Sequence, residues 1–336
     1  MPVLSVAGVT VGTAYGGLRR RGLLRRALPF VVAVAALTAL DLVVDPRALA
    51  RALARFNPVA VPVILGLTSC WFLLQGLRWH LLLRAAGSTL GAVDSVLLSV
   101  AGQVVTAVLP LGDLTRAVFA SEAAGVELGT AAATVTVQEL TFTLCLVIVA
   151  APGILALRVG AGVAVAVVAG VAAILAILTV PRLYGAVRSA AAWLPLPGRL
   201  LDQVDRLQRD SAGLLRRPAT LGWSVLDLLR AAVGATVLWL VVQVLEPNAV
   251  DWWQAALVVA VAYVGGAVSF LPGGTGANDA SVVGLLVLLG LDPGTAAAAA
   301  LLQRAAFTGL ATGLGIAAYL VARRRLPLGR LLPRQA

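Results

Sequence analysis

Long apolar runs alternate with short polar stretches along most of the chain. A helix that crosses a bilayer needs about 20 predominantly apolar residues, and runs of roughly that length recur throughout the sequence. We predict full membrane spans at residues 27–44, 59–77, 129–150, 159–180, 221–245 and 295–321.

Two further apolar regions, 90–124 and 253–291, are each interrupted near the middle. The first is broken by PLGD at 110–113 and the second by PGG at 272–274. In the second region neither flank is long enough for a comfortable span, so a turn between two spans does not account for the break. Broken backbone at membrane depth persists only inside protein or beside a water-filled cavity. We therefore predict a re-entrant helical hairpin in each region.

The composition is that of a membrane protein. The 336 residues are 60% hydrophobic and only 12% charged, with a mean hydropathy of +0.97, whereas a soluble domain carries about a quarter charged residues. The 26 basic residues are all arginine, and the net charge is +11. Because the arginines lie in short segments between apolar runs, we do not predict nucleic-acid binding.

The arginines also predict the orientation of the chain. Cytoplasmic segments of membrane proteins carry an excess of basic residues, so we place the N-terminal segment 1–26, the loop 181–218 and the tail 323–336 in the cytoplasm. This placement requires each hairpin to enter and return on one side, the first from the cytoplasm and the second from outside. Three arginines between 47 and 55, in the first outer loop, run against this scheme.

Broken segments at corresponding places in two halves are the mark of an inverted repeat with its binding site near the midplane. The predicted fold class is therefore all-α: a polytopic integral membrane protein of about six full spans plus two re-entrant helical hairpins in an inverted repeat. Its transmembrane domain is predicted at 27–322. Within it, 181–218 alternates Leu and Val with Arg and Asp at helical spacing, which predicts an amphipathic helix at the cytoplasmic interface.

Ionisable residues inside apolar segments are costly and usually functional. In each predicted half, a break is followed by an acidic residue and then by a charge in the next span. The glycines at the second break allow the chain to turn, and a helix that begins there presents free N–H groups and its positive dipole end to an anion. The predicted substrate-binding residues are Asp113, Arg116, Glu139, Gly273, Gly274, Gly276, Asp279 and Arg304.

Two of these charged residues could have a structural role and no role in binding. In that alternative, Glu139 and Arg304 form an ion pair that holds two spans together. Asp227 and Arg230 are three residues apart, a spacing that brings side chains together on a helix. We expect this second pair to be structural, near a span entrance, with no role in binding.

Motifs of the common enzyme classes are not visible. The chain has no lysine, which a phosphate-binding P-loop requires, and its single histidine does not suffice for a zinc site. We expect no metal, no cofactor and no enzymatic activity. The enzymatic alternative is an acid/base site on a lipid substrate, formed by Glu139 and Asp113.

A series of short motifs reads LPLGDLTRA at 109–117, Glu139, LPGGTGANDA at 271–280 and LLQRAAF at 301–307, with LRWHLLL at 77–83 before them. In order and spacing these motifs resemble the lysylphosphatidylglycerol synthase transmembrane, or flippase-like, family. The family usually has a glutamate where Asp279 stands, so the acidic side chain here is one methylene shorter.

The resemblance implies a function in lipid movement. The family's membrane domain is associated with moving lipids between leaflets, and in some members it is fused to a soluble transferase domain. We expect a stand-alone member without synthase activity: a translocase for a phospholipid or lipid-linked head group in the cell (plasma or inner) membrane, with both termini cytoplasmic. The alternative is a non-transporting accessory subunit that binds a lipid or a membrane enzyme partner through the loop 182–217.

Overall fold

The computed structural model describes residues 46–106, 112–156, 169–170, 172–173, 176–177, 180–191, 198–269, 276–326 and 328. Within these ranges the chain is helical, with short connecting turns and no strand. The predicted span at 27–44, most of the one at 159–180, and both Gly273 and Gly274 lie outside the described residues. For the part of the chain that the structure describes, the prediction of an all-α protein with membrane-spanning helices is confirmed.

The helices are numbered along the described chain. They are α1 (Pro46–Arg55), α2 (Val61–Ala85), α3 (Ala92–Thr106), α4 (Thr115–Ala124), α5 (Leu128–Ala156), α6 (Pro181–Ala191), α7 (Gly198–Leu215), α8 (Pro218–Trp223), α9 (Val225–Leu245), α10 (Trp252–Val268), α11 (Ala277–Leu288), α12 (Pro293–Arg304) and α13 (Leu310–Arg325). Single 3-10 turns at Pro58–Ala60 and Gly112–Leu114 precede α2 and α4, and a π-helical turn at Ala305–Gly309 joins α12 to α13.

Four helical segments are long and apolar enough to cross a bilayer: Pro58–Ala85, Leu128–Ile154, Pro218–Leu245 and Pro293–Arg325. They coincide with the four predicted spans that lie mainly within the described residues. Each segment exposes large apolar side chains on its outer face, as a surface in contact with lipid tails requires.

Short helices flank both predicted breaks. Helix α3 packs against α4, and α10 packs against α11, so each broken region forms a pair of adjacent helices. The second member of each pair is short: α4 has 10 residues and α11 has 12. At a rise of about 1.5 Å per residue they reach only about 15 and 18 Å, whereas the apolar core of a bilayer is about 30 Å thick. Neither α4 nor α11 is long enough to cross alone.

Helix α9 lies at the centre of the described bundle, where it contacts α2, α5, α10 and α12. Its fully buried residues include Ala231, Ala235, Leu238 and Val242, which are three or four positions apart and therefore form one stripe along the helix. Ala231 and Ala235 pack with α5 and α10, while Leu238 and Val242 join the apolar cluster shared with α10, α11 and α12. The apolar packing of α9 therefore holds α5, α10, α11 and α12 in position around it.

The close approach of α3 and α13 depends on Gly315. A methyl group added at this position would lie 2.9 Å from the carbonyl oxygen of Val100 and would also press on the Val104 side chain. Two residues earlier on the same helix, Gly313 has no neighbour within 4 Å in that direction. The two glycines therefore make a matched pair for a test of helix packing.

We expect Gly315→Ala to lower the free energy of unfolding by about 1–3 kcal/mol, the usual result of overpacking. Gly313→Ala should be neutral or gain up to about 1 kcal/mol, because alanine favours a helix over glycine. Melting temperatures of the two variants in detergent, followed by tryptophan fluorescence, test the difference. Equal melting temperatures would show that the α3–α13 contact does not need a glycine.

Within the predicted amphipathic segment at 181–218, the structure describes two helices, α6 and α7. Helix α7 packs against α5 and buries Leu214 and Leu215. Part of its apolar face is therefore used inside the protein. On α6, by contrast, Leu183 and Val187 are exposed.

Asp205 links α6 to α7. It accepts hydrogen bonds from the hydroxyl of Tyr184 and, at 2.8 Å, from Nε of Arg188. These contacts hold the pKa of the Asp205 carboxyl below its usual value. Burial, together with the same hydrogen bond, raises the pKa of Tyr184 to about 12. At neutral pH the contact therefore joins a charged carboxylate to a neutral phenol.

Candidate functional site

An ion-paired centre forms where α4 meets α5. The side chain of Arg116, on α4, is fully buried; its Nη2 lies 2.9 Å from Oε1 of Glu139, and its Nη1 donates to Oε1 of Gln138 at 3.0 Å. Gln138 in turn donates to the backbone carbonyl of Gln75, on α2, at 2.7 Å. Because a guanidinium offers several donors in one plane, a single arginine connects the first broken region to two spans.

Glu139 also contacts two other helices. Its Oε2 accepts a hydrogen bond of 2.6 Å from the hydroxyl of Tyr263, on α10, and its Oε1 lies 3.9 Å from Nη1 of Arg230, on α9. The Glu139 side chain is nevertheless 24% exposed. One partly accessible carboxylate on α5 thus contacts side chains from α4, α9 and α10.

Asp113, at the first break, is the most loosely held member of this centre. Its Oδ1 lies 3.4 Å from Nη2 of Arg116 and accepts hydrogen bonds of 3.4 Å from Gln103 and Thr106, on α3. Its side chain is 36% exposed. The same Nη2 of Arg116 faces both Asp113 and Glu139, so the two carboxylates share one cation and are not a free acid/base pair.

Arg78 and Asp227 form a separate, fully buried ion pair between α2 and α9. Nε of Arg78 donates to Oδ2 of Asp227 at 2.8 Å, and the hydroxyl of Thr141 donates to the same oxygen at 2.7 Å. The expected pairing of Asp227 with Arg230 is therefore wrong. Arg78 lies 149 positions from Asp227 in the sequence. In a packed bundle, the helices that are neighbours in space determine which charged side chains come into contact.

The second break carries its own acid–arginine pair. Nη1 of Arg304 lies 2.6 Å from Oδ2 of Asp279, with the two side chains 27% and 11% exposed. The hypothesis of a Glu139–Arg304 pair is wrong, since Glu139 pairs with Arg116. A π-helical turn follows Arg304 directly, and such turns are frequent at functional sites.

The amide that begins α11 is not free. Gly276 has a φ of +84°, which favours glycine, and its N–H donates to Oδ2 of Asp279 at 3.2 Å. Asp279 therefore caps its own helix while it pairs with Arg304. The prediction that this N–H is available to an anion is wrong at Gly276.

A cavity of about 220 Å³ adjoins a second centre, formed by Gly276, Asp279 and Arg304. Asp279 and Arg304 line it, together with Tyr263, whose hydroxyl binds Glu139 of the first centre. Aromatic rings of Trp71 and Phe142 form another part of its wall. The cavity thus contacts one acid–arginine pair directly and the other through a single tyrosine.

The structure therefore gathers the predicted site residues into two groups. Asp113, Arg116 and Glu139 meet in the first centre, Gly276, Asp279 and Arg304 meet in the second, and Gly273 and Gly274 lie outside the described residues.

The sequence does not identify Tyr263 as a site residue and predicts no role in binding for Arg230. Tyr263 stands in an apolar run, where an aromatic residue is usually interpreted as part of the hydrophobic core. Its hydroxyl could have identified it, because a tyrosine hydroxyl buried among apolar residues normally has a hydrogen-bond partner. The prediction for Arg230 depended only on its spacing from Asp227.

Among the described residues, no group of three or more His, Cys, Asp or Glu side chains is placed to hold a metal ion. The polar chemistry at the two centres is that of carboxylates, guanidinium groups, amides and hydroxyls, which form charge-assisted hydrogen bonds.

These features define a polytopic α-helical membrane protein in which each broken region contributes one member of an acid–arginine pair, Arg116 with Glu139 and Asp279 with Arg304. The family model described as "Lysylphosphatidylglycerol synthase TM region" matches residues 26–315. The chain belongs to this family, as its motifs predicted, and is thereby a membrane protein tied to lipid metabolism or transport. The comparison with curated proteins returns no significant match.

Proposed function

We propose that the protein is a translocase that moves a phospholipid or a lipid-linked head group between the two leaflets. The observation that carries the proposal is the cavity, because it brings the Asp279–Arg304 pair and Tyr263 to one surface. A head group that enters the cavity would meet an anion, a cation and a hydroxyl, and through Tyr263 it would act on Glu139.

The two broken regions support this mechanism. We propose that both are re-entrant hairpins, that they enter from opposite faces, and that an inverted repeat relates them. Helix ends and charged side chains from such broken segments form the midplane binding sites of many transporters. Alternating access would then consist of moving one hairpin against the spans, with the Arg116–Glu139 contact made or released.

The proposed location and orientation of the protein rest on the distribution of its arginines. We propose a multi-pass protein of the cell membrane, with its arginine-rich segments in the cytoplasm. It binds a membrane lipid and performs no chemistry on it. The shared position of Arg116 between Asp113 and Glu139 supports a transport role over acid/base catalysis.

Arg304→Gln tests this function. We expect leaflet exchange to fall by a factor of about ten or more, since the variant removes the cation that lines the cavity and leaves Asp279 unpaired. The pure protein is reconstituted in liposomes with fluorescent anionic, zwitterionic and sugar-linked lipids, and exchange is followed by dithionite quenching.

The matched control for Arg304→Gln is Arg325→Gln. Arg325 pairs with Asp94 at 3.3 Å but is 53% exposed, so this variant should exchange lipid at the wild-type rate. Wild-type protein that exchanges none of the three lipid classes would reject the proposed function, as would a normal rate in Arg304→Gln.

One observation favours a second candidate function, that of a non-transporting accessory subunit. Leu183 and Val187 are one helical turn apart on α6 and are 45% and 47% exposed. An apolar strip of this kind suits a membrane surface or a membrane enzyme partner. Replacing both residues with serine should leave leaflet exchange intact in a translocase.

A further inference from the structure

The wall of the cavity carries one positive and one negative charge. Among the described residues that line it, Asp279 and Arg304 are the charged ones. The other polar lining residues are neutral: Tyr263, Asn278, Gln303 and Thr308. The cavity wall therefore has no excess charge of either sign.

The acid–arginine pair in this wall is accessible. The side chains of Arg304 and Asp279 are 27% and 11% exposed, whereas those of the Arg78–Asp227 pair are both 0% exposed. Arg304 approaches Asp279 through Nη1, and within the described chain its Nε and Nη2 make no hydrogen bond. Asp279 uses Oδ2 for Arg304 and for the Gly276 amide, and its Oδ1 makes no hydrogen bond to a described residue. Each side chain thus keeps polar atoms for a ligand.

The 2.6 Å contact between Arg304 and Asp279 places the two charges side by side. An anion that binds Arg304 alone also comes close to the Asp279 carboxylate, which repels it, and a cation that binds Asp279 alone is repelled by Arg304. A ligand with both charges offers a partner to each side chain, so neither is left unpaired. The wall therefore selects against a ligand of a single charge.

The first centre, which Tyr263 connects to the cavity, does not change this balance. There Asp113 and Glu139 face Arg116 and Arg230, with ion-pair distances of 3.4, 2.9 and 3.9 Å. Two acidic and two basic side chains again cancel in formal charge. A cleft that attracts a net anion is instead lined by an excess of cations.

One edge of the cavity lies at the surface of the span Pro293–Arg325. Thr308 lines the cavity and is exposed, and so are Ala305 and Gly309 on the same π-helical turn. The volume of about 220 Å³ is below the roughly 300 Å³ or more of sites for drug-sized ligands. A head group can therefore enter at this edge while the acyl chains of its lipid stay outside the protein.

We infer that the cavity binds a zwitterionic phospholipid head group, with the phosphate at Arg304 and the ammonium group at Asp279. The planar fork of arginine matches phosphate oxygens, and a carboxylate accepts hydrogen bonds from an ammonium group. An ethanolamine head group has only two carbon atoms between its phosphate ester oxygen and its nitrogen, which suits two protein charges in direct contact. The inference rests on the proposed function in taking a membrane lipid as the ligand.

Isothermal titration of the full chain in detergent micelles tests the inference. Dihexanoyl phosphatidylethanolamine and dihexanoyl phosphatidylglycerol have the same acyl chains and the same phosphate, but the second lipid has no ammonium group. We expect the ethanolamine lipid to bind at least about tenfold more tightly, since it makes one more charge-assisted contact. Equal affinities, or a preference for the glycerol lipid, would overturn the inference.

Glycerophosphoethanolamine, the same head group without acyl chains, separates the two sources of this chemistry. If it competes with the ethanolamine lipid for the site, the head group alone suffices, and a free zwitterion is also a ligand. If the lipid binds with its preference and glycerophosphoethanolamine does not compete, the site belongs to the intact lipid.

Asp279→Asn should abolish the preference. Asparagine keeps the size of the side chain and an oxygen that can accept from the Gly276 amide, but it removes the partner of the ammonium group. Affinity for the ethanolamine lipid should fall about tenfold, while affinity for the glycerol lipid should stay the same or rise. An unchanged ratio of the two affinities would contradict the inference, and a partial loss of folded protein does not alter that ratio.

The matched control is Asp292→Asn, which removes the same charge from another helix cap. Oδ2 of Asp292 accepts from the amides of Gly294 and Thr295 at the start of α12, and Asp292 does not line the cavity. This variant should keep the wild-type preference.

Arg304→Gln completes the test by removing the partner of the phosphate. It should weaken the binding of both lipids, and undiminished affinity for both would contradict the proposed position of the phosphate. If neither site variant folds, the ranking of the two lipids by the wild type still decides.

The inference and the proposed function can fail separately. Selective binding of the zwitterion without leaflet exchange would leave the inference standing and reject the translocase. Leaflet exchange that treats zwitterionic and anionic lipids alike, and that Asp279→Asn does not change, would do the reverse.

Discussion

Glu139→Gln abolishes leaflet exchange, with a loss of about a hundredfold or more, if the Glu139 carboxylate is the element that the transport cycle rearranges. Glutamine keeps the size and one oxygen of the side chain but removes its charge. Arg116, which the carboxylate faces at 2.9 Å, would keep only Asp113, at 3.4 Å. Arg230 would lose its 3.9 Å contact with the carboxylate. Dithionite quenching in liposomes measures the effect.

Glu127→Gln is the control for Glu139→Gln. Glu127 precedes the same helix, and its pair with Arg206 is exposed, with side chains 63% and 61% accessible. Its loss should change nothing measurable. Exchange by Glu139→Gln at half the wild-type rate or more would contradict the prediction.

A purely structural role for Glu139 has a different outcome. In that case Glu139→Gln and Arg116→Gln would each fail to accumulate, and the double variant would recover a folded protein. Lipid exchange in that double variant would then match the wild type. Recovery of folding without recovery of exchange would keep Glu139 in the transport mechanism.

Arg78→Leu should produce the largest loss of stability, about 3–5 kcal/mol, because it leaves the carboxylate of Asp227 buried without its cation. Both side chains are fully buried, and their 2.8 Å contact joins α2 to the central helix α9. Unfolding in a sodium dodecyl sulfate titration measures the change. Arg206→Leu, which breaks an exposed pair, should cost no more than about 1 kcal/mol.

The double variant Arg78→Leu with Asp227→Leu shows whether the unpaired charge causes the loss of stability. Within the described chain, Nη1 of Arg78 and Oδ1 of Asp227 have no hydrogen-bond partner, so the native pair is incompletely satisfied. Apolar replacements of buried pairs are often neutral or stabilising. We therefore expect the second substitution to restore most of the lost stability. A double variant as unstable as Arg78→Leu would show that the charges themselves are not the cause.

The elements of this fold were predictable from the sequence to the extent that they depend on local composition. A run of apolar residues is long enough to cross a bilayer wherever it lies. The proline and glycine residues at 110–113 and 272–274 disfavour a continuous helix through local backbone chemistry alone. The charged members of the site were predictable for the same reason, because a charge within an apolar run needs an explanation.

The partners of those charges were not predictable. The spacing rule that joined Asp227 to Arg230 describes side chains on one helix surface. In the packed interior Asp227 meets Arg78 of another helix, and Arg230 lies between two aromatic rings. Such contacts depend on which helices are neighbours, and hydrophobic patterns leave that open when every helix is apolar around most of its circumference.

The π-helical turn at Ala305–Gly309 divides one span into two segments of different rotational phase. In a uniform α-helix, Arg304 and Gly315, eleven positions apart in the printed sequence, would fall within about 20° of the same direction. A π turn accommodates one extra residue, which turns the later segment by about 100° relative to the earlier one. Arg304 can therefore face Asp279 while Gly315 faces α3. One helical segment thus presents Arg304 and Gly315 to different neighbours, although their spacing would place them on one face of a uniform α-helix.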